Sequence, residues 1–315
     1  MLSLNILLNI AQKMLIQYCY LAIFILGTIG SLMNIFLFSR RRLQSNSCCT
    51  YFFTSSICAL VLLAIGILPQ IYTLYNSSNP FSTILSFCKI RSYLNQVSAM
   101  SCRWLLVMAC INRCIICSNN PYIHHLSSIF ITRRIIIIII SIWLILPIHM
   151  LIYSNIQSLG NIECSINNNN IAIYHRFYTI IMGCILPSII AFICCLFIWK
   201  NLQERRRRRQ IIIFNNEINR RKQKRDQQIL FMLLIQVGIF LISTMPFMSF
   251  NIYNTMTQSI NNKSADRKAL EAFLKTLTEF FIYLITMSFY SNTLVSRTFR
   301  KELLKLFKCI IIRSR

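Results

Sequence analysis

Two ionisable side chains lie inside long apolar stretches of this sequence, where a charge is costly. Arg103 interrupts the apolar stretch 86–117, and Glu279 interrupts the stretch 269–293. An ionisable group in such a segment usually faces the protein interior and finds a partner there. We therefore expect Arg103 and Glu279 either to pair with each other or, for Glu279, to meet a basic group of a bound molecule. A structural role is the simpler interpretation of Arg103.

Residue patterns that carry enzymatic chemistry are absent from the sequence. It contains no GxGxxG, GxxxxGK[ST], HExxH or GxSxG motif. His124 and His125 lack a third metal ligand, and no CxxC motif has a partner pair. We therefore predict no enzyme activity, no cofactor and no metal site.

The composition indicates an integral membrane protein. Of the 315 residues, 56% are hydrophobic and only 13% are charged, whereas a soluble protein carries about 25% charged residues. A bilayer core needs about 20 apolar residues of helix, and seven stretches meet that need. They run over 15–39, 50–75, 86–117, 134–154, 174–200, 228–255 and 269–293.

These stretches predict an all-α membrane protein, a bundle of seven transmembrane helices followed by a short amphipathic C-terminal helix. The predicted parts are an extracellular N-terminus over 1–14, the bundle over 15–293, and a cytoplasmic helix and tail over 294–315. The first stretch is interpreted as a retained helix rather than a signal peptide, because it is too long and only Lys13 precedes it.

Basic residues are concentrated on one face of the predicted bundle. The net charge is +25, and the loops after stretches one, three and five and the tail carry most of it, including Arg40–Arg42 and Arg205–Arg209. Cytoplasmic loops carry such an excess, so the N-terminus is predicted outside and the C-terminus in the cytosol. The charge then needs no nucleic acid, since anionic lipid headgroups attract it; the run Arg205–Arg209 is also open to a cytosolic partner.

Two cysteines fall on the predicted outer face. Cys88 opens the third stretch and Cys164 lies in the loop before the fifth. Because the outside is oxidising, a disulfide between them can form and persist. The alternative is two unpaired thiols.

Twenty-five residues after Cys88 comes Arg113, within Ile111-Asn112-Arg113-Cys114 at the inner end of the third stretch. In this arrangement the chain resembles a rhodopsin-like (class A) G-protein-coupled receptor. Arg103-Trp104-Leu105-Leu106 and the Phe299-Arg300 region resemble invertebrate FMRFamide-receptor-like neuropeptide receptors in particular. Further marks of the family, in matching order, are Gly30, Asn34, Trp143, Pro187 and Pro246.

The resemblance implies an extracellular ligand, a heterotrimeric G protein and a switch at Arg113. In the family an acidic residue at the inner end of the sixth helix can pair with this arginine, and Asp226 holds that position. Two solvated, unrelated charges are the alternative. Asn34, Trp143, Pro187 and Pro246 are expected to serve helix packing and kinks.

The sequence also departs from the family pattern. Asn112 replaces an acidic residue beside Arg113, and Ala59 or Leu60 replaces the sodium-binding Asp, so no sodium site is expected. Asn292 stands at the position of the conserved tyrosine in the seventh helix, with Tyr290 nearby. Further replacements are Thr244, Cys195, Ser288 and Phe289.

The absence of two residues, an acid at the amine-binding position and a lysine at the retinal-binding position, narrows the class of ligand. Asn95 stands where amine receptors have an Asp, and Lys275 lies too near the end of its helix to hold retinal. A peptide remains the favoured ligand by resemblance. The candidate pocket residues, which are alternatively helix–helix contacts, are Asn95, Gln96, His149, Tyr153, Tyr174 and Glu279.

Three positions carry modification motifs. Asn76 and Asn262 begin N-glycosylation sequons in predicted outer loops. The segment 297–309 has the pattern of an interfacial helix, and Cys309 at its end is a palmitoylation candidate or an unmodified thiol.

Three rival functions stay open at this point. One is a chemosensory receptor of the same fold, and another is a receptor that no longer signals and acts as a decoy. The third is a transporter or channel, although no internal repeat supports it.

Overall fold

A computed structural model describes residues 4–44, 46–75, 84–118, 121–157, 163–166, 168–211, 217–257, 264–295, 299–301 and 303–304. Within these residues seven helices are long and apolar enough to cross a membrane, which confirms the predicted seven-helix bundle. They are α1 (Leu4–Phe38), α2 (Ser47–Tyr75), α3 (Leu85–Ile116), α4 (Ile129–Tyr153), α5 (Asn169–Asn201), α6 (Leu230–Met256) and α7 (Ala265–Leu294).

Polar side chains begin four of these helices. Asn46, Ser128, Asn168 and Ser264 each accept a hydrogen bond from a backbone N–H in the first turn of α2, α4, α5 and α7, respectively. The first N–H groups of a helix have no partner within it, and a short polar side chain at this position supplies one. Each apolar run therefore starts at a defined residue.

Helix α1 starts eleven residues earlier than the predicted stretch. Its residues Leu4–Met14 are helical, a π-helical turn follows over Leu15–Tyr20, and the helix continues over Leu21–Phe38. No proline or glycine interrupts the first segment, which makes a hydrogen bond of its own to α7. Gln12 Nε2 donates to Thr276 Oγ1 over 2.9 Å.

Helix α4 breaks at its proline. It consists of Ile129–Ile145 and Ile148–Tyr153, with Pro147 between them. Proline has no N–H to continue the ladder, so backbone carbonyls before it need other donors. Next to this break, the Tyr93 hydroxyl of α3 donates to Leu144 O over 2.6 Å and joins α3 to α4.

Helix α5 changes its winding before Pro187. It is α-helical over Asn169–Ile180, π-helical over Ile181–Ile185 and α-helical again over Leu186–Ile211. In the π-helical turn the N–H of Leu186 donates to Ile181 O, five residues back. Met182 O and Gly183 O are then left without helical donors, since Pro187 has no N–H.

The remaining helices also carry interruptions. Helix α2 consists of Ser47–Gly66 and Leu68–Tyr75, and α7 of Ala265–Tyr283, a 3-10 turn Leu284–Met287 and Ser288–Val295. Helix α6 is the second part of a 40-residue helix, Glu217–Met256, that contains Pro246.

A β-hairpin joins α4 to α5. Strands β1 (Ser154–Gln157) and β2 (Glu163–Ile166) pair antiparallel, with Ile156 opposite Cys164. The hairpin contacts α3, whose start lies at the same end of the bundle. We call this the hairpin end, and the opposite end, where α3 finishes, the Arg113 end.

Helix α3 is the centre of the bundle. Its apolar window is 61% buried, against 28% for α4, so it contacts neighbours on most sides. The largest buried cluster surrounds its second half and includes Leu105, Ile198, Leu233 and Phe240. This packing fixes the position of the residues at the end of α3.

The chain turns back against the bundle after α7. Residues 299–301 are helical, and the buried Phe299 ring lies 5.7 Å from that of Phe38 and 5.8 Å from that of Phe289. The described part of the predicted amphipathic segment is therefore anchored to α1 and α7.

Candidate functional site

Arg113 lies at the end of α3 with its guanidinium inside the protein. Only 2% of the residue is exposed. Its Nη2 donates to Asn46 Oδ1 over 2.9 Å. A guanidinium stays charged in any protein environment, so a permanent cation is held at this end of the bundle beside the start of α2.

Asn46 joins Arg113 to the start of α2. The same Oδ1 that accepts from Arg113 also accepts from the N–H of Cys48 over 3.1 Å. One amide oxygen therefore caps α2 and orients the guanidinium. The sequence signal for the cap is an asparagine directly before an apolar run, but the contact with α3 is visible only in the structure.

Asn112 is buried beside Arg113, with 4% of the residue exposed. Its Nδ2 has no hydrogen-bond partner within the described residues. Receptors of the family that the chain resembles have an acidic residue at this position. Here the side chain is a neutral amide, so no charge at position 112 restrains Arg113.

A second polar contact joins α6 to α7. Gln236 Nε2 donates to Asn292 Oδ1 over 2.7 Å, and Asn292 is fully buried. Asn292 was predicted to lie at the switch position of α7, and the structure places it against α6. Tyr290 instead donates to Leu26 O over 3.1 Å and ties α7 to α1.

A polar cavity adjoins the Gln236–Asn292 contact between α1, α2, α3, α6 and α7, with room for roughly two water molecules. Ala59, one of the two candidates for the position of the sodium-binding Asp in the family that the chain resembles, is among its lining residues, and no lining residue is acidic. Asn34 Nδ2 donates to Ser288 Oγ over 3.0 Å at its edge. The polar lining residues are Asn34, Ser55, Ser56, Gln236, Ser288 and Asn292.

Arg103 and Trp104 hold the π-helical turn of α5. Arg103 Nη1 donates to Gly183 O over 3.1 Å, and Trp104 Nε1 donates to Met182 O over 2.9 Å. These are the two carbonyls that the turn and Pro187 leave without helical donors. The Arg103 guanidinium also lies 5.7 Å from the ring centre of Phe247, on α6.

The predicted pairing of Arg103 with Glu279 is wrong. Both side chains are described, and they form no ion pair, because each has a different partner. Glu279 Oε2 accepts from Gln70 Nε2 over 3.0 Å, which links α7 to α2. Arg103 instead donates to the freed carbonyl of Gly183 in α5.

The candidate pocket residues form separate contacts near the hairpin end. Gln96 Nε2 donates to Thr179 Oγ1 over 3.1 Å, while Asn95 Oδ1 is buried and finds no hydrogen-bond partner among the described residues. His149 contacts Tyr174 ring to ring, and Tyr153 is exposed. None of the six candidates lines the polar cavity described above.

The predicted packing residues lie where helices meet. Trp143 is buried and its ring centre is 5.7 Å from that of Trp104 and 6.3 Å from that of Tyr178. Pro187 follows the π-helical turn of α5, and Pro246 lies inside the helix that contains α6. The packing and kink roles of these residues stay predictions.

Cys88 is fully buried in the first turn of α3 and is not among the free thiols of the described cysteines. The backbone of Cys164 lies in β2, which contacts α3. The side chains of Cys164 and Asp226 lie outside the described part, as do Asn76, Asn262 and Cys309 altogether.

Three residues of these contacts, Asn46, Gln236 and Gly183, were not predicted from the sequence. An asparagine before a helix and a glutamine within an apolar helix are detectable signals. Their partners come from other helices, so the contacts themselves are not readable from spacing.

A bundle of seven membrane-spanning helices with a buried arginine at the end of its central helix defines a seven-transmembrane receptor. The family model described as "7 transmembrane receptor (rhodopsin family)" matches residues 30–295. The chain therefore belongs to the rhodopsin family of G-protein-coupled receptors, which are signalling receptors of the plasma membrane rather than enzymes. No curated protein matches the chain.

Proposed function

We propose that this receptor binds an extracellular neuropeptide and transmits the signal to a heterotrimeric G protein at the Arg113 end. The observation that carries the proposal is the buried Arg113, oriented by Asn46 where α2 and α3 meet. Membership of the rhodopsin family supports a receptor rather than the transporter or channel considered from the sequence.

In the proposed resting state, contacts at the Arg113 end hold α6 against its neighbours. The Gln236–Asn292 hydrogen bond is one of them, and an Arg113–Asp226 ion pair is proposed as another. Ligand binding would favour a conformer in which these contacts separate and α6 swings outward. The opened cleft would then accept a helix of the G protein.

The proposed orientation places the hairpin end outside and the Arg113 end in the cytosol. The excess of lysine and arginine in the loops of the Arg113 end supports it. A Cys88–Cys164 disulfide would then lie in an oxidising compartment. It would attach the hairpin to the top of α3.

Glycosylation of Asn76 or Asn262 would report the same orientation. A palmitate on Cys309 would anchor the segment after α7 to the cytosolic leaflet.

The peptide class rests on the resemblance to FMRFamide-receptor-like proteins and on the absence of an acidic residue at position 95. The proposed contact residues are Asn95, Gln96, His149, Tyr153, Tyr174 and Glu279. Glu279 would be the acidic contact for a basic peptide, competing with Gln70 for its carboxylate.

The proposal is tested by expressing the receptor with a promiscuous G protein and screening amidated peptides. We expect one peptide class to evoke a response that Arg113→Ala abolishes at equal surface expression. The matched control is Arg134→Ala, since Arg134 is an exposed arginine of α4. Its guanidinium carbon lies 4.2 Å from the ring centre of Phe130. An Arg113→Ala receptor that signals like wild type would refute the role of Arg113.

The alternative functions give different results in the same assay. A chemosensory receptor would respond through Arg113 to small molecules but not to peptides. A decoy would bind peptide with no G-protein response in any variant. Asp226→Ala should raise the signal in the absence of ligand, and an unchanged basal signal would argue against the Arg113–Asp226 pair.

A further inference from the structure

Two histidines face each other where α4 and α5 pack together near the hairpin end. His149 Nε2 and His175 Nδ1 are 3.0 Å apart, and the ring centres are 5.2 Å apart. His149 precedes the hairpin by five residues, and His175 follows the first residue of α5 by six. Both half-buried side chains thus lie within about two helical turns of the bundle end, where ions from water can reach them.

The facing nitrogens have nearly the spacing that a metal ion requires. Zinc binds imidazole nitrogen at 2.0–2.1 Å with tetrahedral geometry, so two such ligands lie about 3.3 Å apart. The observed 3.0 Å falls a few tenths of an ångström short of that spacing. In the structure the two nitrogens point at each other as in a hydrogen bond, since the ring centres are 5.2 Å apart, so both rings must turn for their lone pairs to converge on one ion. We propose that His149 and His175 form a binding site for a zinc-type transition-metal ion that joins α4 to α5.

The other ring nitrogen of His149 supports this assignment. His149 Nδ1 lies 3.1 Å from Leu146 O. A carbonyl only accepts hydrogen bonds, so the proton is on Nδ1 of His149 and its Nε2 lone pair accepts from His175 Nδ1–H. When an ion binds, the proton on His175 Nδ1 moves to its Nε2 or to water, and both facing nitrogens offer lone pairs to the ion. Histidine ligands commonly donate their second N–H to a backbone carbonyl, as His149 does, which fixes the ring for the metal.

Aromatic side chains enclose the pair on one side. The Tyr178 ring centre lies 5.9 Å from that of His149 and 6.2 Å from that of His175. Its buried hydroxyl has no hydrogen-bond partner within the described residues. Such a hydroxyl can form a hydrogen bond with a water molecule that coordinates the ion.

Water would complete the coordination. Across the described residues no group of three or more His, Cys, Asp or Glu side chains could hold a metal ion. Two protein ligands make a regulatory site of moderate affinity rather than a closed structural one.

The site is connected to the kinked region of α5. Tyr178 packs on Trp143, Trp143 packs on Trp104, and Trp104 donates to Met182 O in the π-helical turn. An ion that fixes α4 against α5 therefore also stabilises the region that holds Arg103.

The test uses the full-length receptor in lipid nanodiscs and measures its thermal unfolding midpoint against Zn²⁺. A ligand that binds only the folded state raises the midpoint. We expect a rise with Zn²⁺ and none with Mg²⁺. His149→Asn and His175→Asn should each weaken the apparent affinity by at least about tenfold.

The chain offers a matched control, since it contains four histidines. His124 and His125 lie before α4, at the Arg113 end of the bundle. The double variant His124→Asn/His125→Asn should keep the wild-type response to Zn²⁺. A Zn²⁺ response that survives in both His149→Asn and His175→Asn would overturn the proposal, as would the lack of any response up to about 1 mM free Zn²⁺.

A spectroscopic measurement on the wild-type protein covers the case in which the variants fail to fold. Co²⁺ bound by two imidazoles and water gives weak d–d bands without thiolate charge transfer. A charge-transfer band would place the ion on the cysteines and would refute the histidine site.

Discussion

Gln236 and Asn292 join α6 to α7 through a 2.7 Å hydrogen bond between their side-chain amides. Both residues are buried, and the Nδ2 of Asn292 has no hydrogen-bond partner within the described residues. When a buried amide loses its hydrogen-bond partner, the folded state is destabilised by the full desolvation free energy of that amide. This contact is therefore well placed to oppose the outward movement of α6.

Substitution of Gln236 by leucine should weaken this restraint. The variant leaves Asn292 Oδ1 unpaired, so the closed state should lose about 1–3 kcal/mol. We expect a lower thermal midpoint and a higher basal G-protein signal.

The double variant Gln236→Leu/Asn292→Leu is the control, because replacing both partners by apolar groups leaves neither unpaired. It should recover most of the lost stability. An unchanged midpoint in Gln236→Leu would show that the hydrogen bond contributes nothing to the closed state.

Asn46→Ala should cost more than the loss of an ordinary helix cap. Cap removal alone costs roughly 1 kcal/mol, and here Arg113 also loses its hydrogen bond to the Asn46 side chain. Asn168→Ala is the matched control, since Asn168 caps α5 through the N–H of Asn170. Unfolding in nanodiscs compares the two, and equal losses would mean that the Arg113 contact is energetically neutral.

Asn46→Asp keeps the cap and offers Arg113 a charged acceptor. Charge-assisted hydrogen bonds are stronger than neutral ones. The variant should be at least as stable as wild type and should respond less to agonist, because Arg113 is held more firmly. A stronger agonist response would contradict this account.

Gly183→Ala should disturb the junction of α3 and α5. A Cβ atom there would lie 2.6 Å from Met100 Cε and 2.7 Å from Arg103 Nη1. Overpacking of this kind costs about 1–3 kcal/mol. Gly238→Ala is the opposite case, since nothing lies within 4 Å of its added Cβ. This variant should be more stable than wild type by about 0.5–1 kcal/mol, because alanine favours a helix more than glycine does. Measured thermal midpoints should be lower than wild type for Gly183→Ala and higher for Gly238→Ala. Similar midpoints for the two variants would contradict the described packing.

Arg103→Met should lower the thermal midpoint of the receptor, because the buried Gly183 O loses its hydrogen-bond donor. The buried guanidinium has an unpartnered Nε and only 2% of the residue is exposed. The exchange removes the cost of burying a charge, so the net loss should stay within about 1–3 kcal/mol, the cost of an unpaired buried carbonyl. Arg103→Lys keeps the charge without the planar fork, so its midpoint should fall below that of wild type. If Arg103→Met has the lower midpoint of the two, the charge itself stabilises the bundle.

Hydropathy was sufficient to predict the seven helices, because each span must satisfy the same length requirement in lipid. Most predicted limits fall within five residues of those observed. The start of α1 was missed because Leu4–Met14 is amphipathic and only its packing against α7 shows that it continues the helix.

The site was only partly predictable, for a physical reason. Arg113 was found because its distance from Cys88 lies along a single helix. The contacts of Gln236 with Asn292 and of His149 with His175 join different helices, separated by 56 and 26 residues, respectively. Such pairs depend on how the helices rotate and tilt against each other, which hydropathy does not determine. The same limitation explains the wrong pairing of Arg103 with Glu279.

The length of α1 has a consequence for the surrounding lipid. Its 35 residues extend over about 52 Å, whereas a typical hydrocarbon core is only about 30 Å thick. The surplus is the amphipathic segment Leu4–Met14, whose Asn5, Asn9, Gln12 and Lys13 suit the headgroup level rather than the hydrocarbon core. Because Gln12 of this segment is hydrogen-bonded to Thr276, α1 and α7 stay joined where the chain meets the lipid headgroups.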